Sequence, residues 1–178
     1  MIDALLLRVW MFRAIYLCIL VLIVFVHLLP VSALPNGWPG PDVILAVTVA
    51  WLMRRPEFLP VWLLAAVALI LDLLFQRPPG LWAAIFVIAS EGIRRRAVGS
   101  AELPFFAEWA LFAGTLLAMT LVYNSVLWAT QSDLVRVGLV GIAFAQTVLL
   151  YPAIVLVSHV MGVRRAEPGS VEGMGRMA

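Results

Sequence analysis

The chain has 178 residues, enough for a single domain or compact bundle. Hydrophobic residues make up 64% of it and charged residues only 12%, and the mean hydropathy is +1.06. Because soluble domains carry about 25% charged residues, this chain has too little polar surface to cover its apolar bulk in water. The composition excludes a water-soluble enzyme, a nucleic-acid-binding domain and a disordered protein. It predicts an integral membrane protein.

Six apolar segments along the chain are candidates for membrane-crossing helices. A crossing needs about 20 largely apolar residues to cover about 30 Å of hydrocarbon. The second and fourth candidates are shorter, about 24 Å as helices, so they thin the bilayer, stand nearly upright or re-enter from one side. The six candidates are residues 14–34, 38–53, 58–75, 79–93, 105–129 and 134–163.

The basic residues are all arginines, and their distribution predicts the topology. With six spans and a cytoplasmic N-terminus, ten of the twelve arginines are cytoplasmic, and only Arg77 and Arg136 are external. A re-entrant hairpin of the second and third segments would place Arg54 and Arg55 outside and weaken this bias to eight against four. Since cytoplasmic loops are enriched in basic residues, we expect an all-α, six-helix transmembrane bundle with both termini in the cytoplasm.

Short segments flank this predicted bundle. Residues 1–13 are expected to be cytoplasmic or interfacial, residues 14–163 to form one transmembrane domain, and residues 164–178 to be a disordered cytoplasmic tail. The first segment also resembles a signal peptide, with small residues at Val31-Ser32-Ala33. Its apolar stretch exceeds the usual length for a signal peptide, so we favour an uncleaved helix. The longest internal loop is predicted over residues 94–104.

Three carboxylates lie within or beside the shorter segments, where an ionisable group is a functional hypothesis by default. Pro41 and Asp42 indicate a helix start, with the proline at its favoured first helical position and the carboxylate near the positive end of the helix dipole. The alternative for Asp42 is a role in binding a partner. Asp72 nears a helix C-terminus, which disfavours negative charge. It therefore either pairs with Arg77 or shares a proton or polar ligand with Asp42. For Glu91 we expect an ion pair with Arg94 or Arg95, three or four residues later on the same helix face.

Motifs of catalysis, metal binding or cofactor binding do not appear in the sequence. It has no phosphate-cradling glycine loop, no paired-histidine metal motif and no serine nucleophile elbow. His27 and His159 fall near opposite sides of the membrane in the six-span prediction, so they cannot share one metal ion. We therefore expect no enzymatic activity and no cofactor.

Small residues recur at helical spacing on the last two segments. Ala110, Gly114 and Ala118 form one ridge, and Gly141 with Ala145 forms another. Ridges of this kind let helix backbones approach closely in membranes. We expect them to pack within the bundle, and the alternative is that they receive a transmembrane helix of a partner protein.

Residues 41–96 hold a series of short motifs in a fixed order. The series opens with Pro-Asp at 41–42, continues with AWLMRRPE at 50–57, LPVW at 59–62, LDLL at 71–74 and RPPGL at 77–81, and closes with three arginines at 94–96. Their order and spacing resemble the rod shape-determining protein MreD family, especially its alphaproteobacterial members. The positions that match the family pattern, which we interpret as structural or interaction positions, are Pro41, Asp42, Arg54, Arg55, Asp72, Pro78, Gly80 and Glu91.

The resemblance implies a non-enzymatic subunit of the cell-elongation machinery in the bacterial inner membrane. Members of that family associate with the bitopic membrane protein MreC. Through it they join MreB filaments to the glycosyltransferase and transpeptidase that insert peptidoglycan. The family's fold is similar to that of the substrate-binding subunits of energy-coupling-factor vitamin transporters.

A second interpretation comes from the residues themselves. The chain could be the substrate-binding membrane subunit of a small-molecule transporter, which needs a polar pocket open to the external side. Asp42, Asp72, Asn124 and Gln131 are the candidates to line it. In either case the arginine-rich loops face the cytoplasm, where they set topology or meet anionic lipid of the bilayer or a cytoskeletal partner.

Overall fold

The computed structural model describes residues 2–29, 40–99, 104–130 and 137–163. These residues form six α-helices and a single 3₁₀ turn, with no strand among them. Each of the six predicted segments overlaps one of the helices. In chain order the elements are α1 (Ile2–Leu28), α2 (Val43–Arg54), the 3₁₀ turn (Pro56–Phe58), α3 (Val61–Leu74), α4 (Leu81–Gly99), α5 (Phe105–Ala129) and α6 (Val137–Val160).

Three of the helices are long and apolar enough to cross a membrane. They are Leu6–Leu28 within α1, the whole of α5, and Gly138–Val160 within α6. At most 22% of the most apolar stretch of each is buried inside the protein, so most of their apolar surface faces outward. Soluble monomers rarely expose apolar surface on this scale. The structure therefore supports the prediction of a helical membrane protein.

The shortest α-helix lies at the centre of the bundle. α2 has 12 residues, about 18 Å of helix, and all of its residues from Ile44 to Arg54 are buried. It packs against α1, α4, α5 and α6, while α3 packs against α4. A helix that is hydrophobic all round has no face suited to water and lies in a core. The short second segment is therefore surrounded by protein rather than by lipid.

Hydrogen bonds and aromatic contacts fix α2 to its neighbours. The hydroxyl groups of Tyr16 on α1 and Thr48 on α2 lie 2.8 Å apart in a buried hydrogen bond. The Trp51 ring meets the rings of Tyr16 and Phe12, with centroids 5.7 and 6.2 Å away. A buried tyrosine needs such a partner for its hydroxyl. These contacts set the rotation of α2 against α1.

The structure differs from the sequence prediction at several helix ends. α1 continues unbroken through Arg13 back to Ile2. The predicted loop over residues 94–104 is wrong in its first part, because α4 continues to Gly99. Arginine is a good helix former, and Glu91 pairs with two arginines one turn ahead, which extends the helix. The predicted cleavage pattern at 31–33 and the tail at 164–178 lie outside the described residues.

Candidate functional site

A buried ion pair ties three helices together where α2 ends. Arg54 Nη1 donates to Glu108 Oε1 at 2.8 Å, and the side chains are only 8% and 2% exposed. The same nitrogen donates to the carbonyl of Ala50 at 2.9 Å. The Tyr151 hydroxyl on α6 donates to the same Glu108 oxygen at 2.7 Å. One carboxylate on α5 therefore joins α2 and α6.

Sequence reasoning missed Glu108 and placed Arg54 among the topology-setting arginines of a loop. Arg54 lies instead in the last turn of α2, where a cation suits the helix dipole, and Glu108 lies in the first turn of α5, where a carboxylate does. The available signal was a carboxylate within an apolar span, which has to find a partner. Removing one member of such a pair leaves a buried charge and is strongly destabilising.

Two further arginines hold the 3₁₀ turn at this same end of the bundle, which we call the Arg54 end. Arg13 of α1 donates from Nε and Nη2 to two carbonyls of the turn, both at 3.3 Å. Arg94 of α4 donates to the carbonyl of Pro56 at 2.9 Å and to that of Leu59. These arginines supply hydrogen bonds to the backbone carbonyls of the turn, of which that of Pro56 also accepts from the N–H of Leu59. Their contacts are structural.

The ion pair predicted for Glu91 is confirmed, and both candidate arginines take part. Its carboxylate lies 3.2 Å from Arg94 Nε and 3.3 Å from Arg95 Nε. Arg55, another position that matches the family pattern, lies 3.2 Å from the Glu57 carboxylate. Exposed and partly exposed pairs of this kind contribute about 0–1 kcal/mol. They therefore do not mark a reactive centre.

Asp72 is buried and caps α4, which the sequence did not predict. Its Oδ2 accepts hydrogen bonds from the backbone N–H groups of Gly80 at 3.0 Å and Ala83 at 3.1 Å. Its Oδ1 is buried without a hydrogen-bond partner. Among the described residues Arg77 forms no ion pair with Asp72, and its guanidinium lies over aromatic rings instead. The predicted Asp72–Arg77 pair is therefore wrong.

The turn between α3 and α4 explains two other positions of the family pattern. Gly80 has φ +85°, a conformation that glycine adopts without strain. The Pro78 carbonyl accepts from the N–H of Leu81 at 3.2 Å. The turn brings the start of α4 back onto Asp72. These two residues therefore shape the cap.

Asp42 is the N-cap of α2, as its predicted position at a helix start requires. Its Oδ1 accepts from the backbone N–H of Leu45 at 3.0 Å. Its own N–H donates to the Thr147 hydroxyl of α6 at 2.9 Å. Pro41 precedes the cap and so does not occupy the first helical position that was predicted for it. A cap of this type contributes about 1 kcal/mol.

A cavity of about 420 Å³, the Asp42–Arg77 cavity, lies at the opposite end of the bundle from Arg54. Asp42 and Asn124 line it as predicted, whereas Asp72 does not, and Gln131 lies outside the described residues. The predicted sharing of a proton or ligand between Asp42 and Asp72 gains no support from this arrangement. Other lining residues include His27, Arg77, Trp82, Leu116, Thr120, Tyr123, Phe144 and Thr147.

An apolar groove of about 560 Å³, the α4–α5 groove, lies between those two helices. Its walls include Gly92 of α4 and the ridge of Ala110, Gly114 and Ala118 on α5. The three ridge residues are exposed. A Cβ added at Gly92 or Gly114 meets no atom within 4 Å. The ridge therefore does not pack within the bundle as expected; it faces open space.

Metal ligands do not gather in the part of the chain that the structure describes. Within it, no group of three or more histidine, cysteine, aspartate or glutamate side chains could hold an ion together. The His27 ring packs edge-on against Phe75, with centroids 5.0 Å apart. His159 lies in the last turn of α6.

Replacing Glu108 by alanine tests the buried pair. The change leaves Arg54 buried without its carboxylate, so we expect the free energy of unfolding in detergent to fall by about 3–5 kcal/mol. The matched control is Glu57→Ala, which removes a carboxylate that is 46% exposed and should cost about 0–1 kcal/mol. Equal losses in the two variants would contradict the role of Glu108.

Two substitutions of Asp72 test its role as a cap. Asp72→Ala removes the acceptor of both N–H groups, so we expect a loss of about 1–2 kcal/mol in unfolding free energy. Asp72→Asn keeps one side-chain oxygen, and a single oxygen accepts both hydrogen bonds. We therefore expect a smaller loss of unfolding free energy than in the alanine variant. Thermal unfolding of the purified variants measures both. Equal losses in the two variants, both of which lack the charge, would show that the charge and not the cap matters.

Comparisons with known proteins give no counterpart for this geometry. No protein-family model matches the chain, and no curated protein or solved structure is detectably similar to it. The resemblance of residues 41–96 to the MreD family therefore depends on the motifs and their order alone. The function is inferred from that resemblance and from the contacts described above.

Proposed function

We propose that the chain is a non-enzymatic, multi-pass subunit of the cell-elongation complex in the bacterial inner membrane. In this role it binds the transmembrane helix of an MreC-type bitopic protein. Through that partner it is linked to MreB filaments and to the peptidoglycan glycosyltransferase and transpeptidase. The motifs over residues 41–96 give the proposal its biological context.

The structural observation that carries the proposal is the open α4–α5 groove. Small residues on both walls let a helix backbone approach closely, which is how transmembrane helices associate without a hydrophobic driving force. Gly92 and Gly114 have open space where a side chain would project. Ile88, 73% exposed on α4, offers apolar contact beside them. A single partner helix fits these features, because it needs one lengthwise groove and no polar pocket.

The proposal includes six spans with both termini in the cytoplasm, and a fold like that of vitamin-transporter substrate-binding subunits. Packing within the bundle supports the alternation of the first spans. Arg13, Arg54 and Arg94 meet at one end although they belong to α1, α2 and α4. Arg77 lies at the other end, beside the start of α2. The positions of these four arginines support the proposed topology, because the positive-inside rule expects such a grouping.

The alternative is the substrate-binding subunit of a small-molecule transporter. The Asp42–Arg77 cavity favours it, since Asp42 and Asn124 both line a space of small-molecule size. The alternative is weakened because Asp72 caps α4 and does not line this cavity. We retain the cell-elongation role because the transporter interpretation leaves the α4–α5 groove without a function.

Depleting the protein in its native bacterium, while labelled wall precursor is imaged, tests the proposed role. We expect rounded cells that lose insertion of new peptidoglycan along the sidewall. Cells that keep normal shape and insertion after verified depletion, with no second copy of the gene, would rule the role out. Uptake assays on the same cells would then test the transporter alternative.

Substituting Gly114 by leucine tests the groove itself. The side chain enters open space, so we expect the protein to fold while co-purification of the bitopic partner falls about tenfold or more. The matched control is Gly141→Leu on α6, where an added Cβ also meets nothing. Loss of partner binding in both variants, or in neither, would contradict a site specific to the α4–α5 groove.

A further inference from the structure

The Asp42–Arg77 cavity has no part in the proposed function, yet its walls carry converging charges. With a volume of about 420 Å³, it falls in the range of small-ligand sites. It is built by the end of α1, the start of α2, the turn before α4 with the first turn of that helix, and the inner faces of α5 and α6. The cavity is thus a product of the tertiary fold.

Arg77 supplies a half-buried cation, whose guanidinium packs over two aromatic rings. Its guanidinium carbon lies 5.2 Å from the centroid of the Phe75 ring and 5.1 Å from that of Trp82. Among the described residues it forms no ion pair with a carboxylate. The N–H groups of its guanidinium are therefore available to donate hydrogen bonds to a ligand. A planar guanidinium of this kind recognises phosphate with two parallel hydrogen bonds.

Asp42 supplies a carboxylate on another wall of the same cavity. One of its oxygens caps α2 by accepting from the backbone N–H of Leu45 at 3.0 Å, and the residue lines the same cavity as Arg77. A purely anionic ligand would meet repulsion from Asp42, and a purely cationic one from Arg77. The ligand that complements both walls carries one charge of each sign.

The surroundings indicate what such a ligand is attached to. Leu116 and Phe144 line the cavity with apolar surface. Trp82 and Tyr123 meet edge to face at 5.3 Å beside Arg77, and such aromatic residues are enriched at the level of lipid headgroups. A headgroup with an apolar chain attached therefore suits the site better than a fully polar solute.

We propose that the Asp42–Arg77 cavity binds a zwitterionic headgroup of the phosphoethanolamine type, with the phosphate on Arg77 and the primary ammonium at Asp42. Two sources carry this chemistry: a membrane phospholipid and its soluble, chain-free ester. The apolar lining favours the phospholipid. The site is independent of the α4–α5 groove and of any role in cell elongation.

Lipid retention by the purified full-length protein tests the proposal. The protein in detergent is supplied with equal amounts of phosphatidylethanolamine and phosphatidylglycerol of matched chains, and bound lipid is counted by native mass spectrometry. We expect phosphatidylethanolamine to be retained about tenfold over phosphatidylglycerol, which has the phosphate but no amine. Equal retention of the two lipids by the unmodified protein would overturn the proposal.

Two variants assign the charges to their residues. Asp42→Asn keeps the helix cap, because asparagine caps as well as aspartate, but removes the charge, so the preference for the amine headgroup should disappear. Arg77→Gln should lower retention of both lipids. The matched control is Arg95→Gln, which changes a 79% exposed arginine at the Arg54 end and should alter neither. A control variant that behaves like Arg77→Gln would overturn the assignment.

A competition experiment distinguishes the phospholipid from its soluble, chain-free ester as the natural ligand. Glycerophosphoethanolamine, which has the headgroup and no chains, is added in large excess to the lipid-bound protein. Failure to displace the lipid supports a phospholipid site, whereas displacement that depends on Asp42 supports a site for the soluble ester. Displacement that persists in Asp42→Asn would overturn recognition of the amine.

Discussion

The buried contact between Arg54 and Glu108 is the constraint on which the bundle depends. α2 is buried along nearly its whole length, so the arginine in its last turn has no water to meet and needs a carboxylate inside the protein. Glu108 supplies it from the first turn of α5, and Tyr151 adds a hydrogen bond from α6. These contacts fix the rotation of α2, α5 and α6 about their own axes, because α2 and α6 must each turn a polar side chain toward the carboxylate that α5 carries. Apolar packing alone would leave such rotations weakly specified.

The two ends of the bundle use their polar groups differently. At the Arg54 end, Arg13 and Arg94 bind carbonyls of the turn between α2 and α3, so their charges also serve as structural clamps. At the other end, Arg77 rests on aromatic rings beside a cavity. Between the ends, the α4–α5 groove remains apolar and open. The described part of the molecule thus has a lengthwise apolar groove between α4 and α5 and a polar cavity at the end opposite Arg54.

Much of the local structure could be predicted because its causes lie within a few residues. The helix cap at Asp42 and the ion pairs of Glu91 follow from spacings of three and four residues. Asp72 could not be assigned in this way, because its partners lie eight and eleven residues ahead, beyond a turn. That turn depends on the left-handed conformation of Gly80. A contact made across a turn needs the path of the backbone before it can be recognised.

The sequence by itself determined the membrane class and the six helical segments. These follow from composition and hydropathy, which act on each segment separately. Only the tertiary structure decided which groups are buried and which faces are covered. It placed Arg54 and Glu108, 54 residues apart, at 2.8 Å, and it turned the ridge around Gly114 outward. The reason is physical: helical period shows that residues share a face, but only the packing of neighbouring helices determines what that face meets.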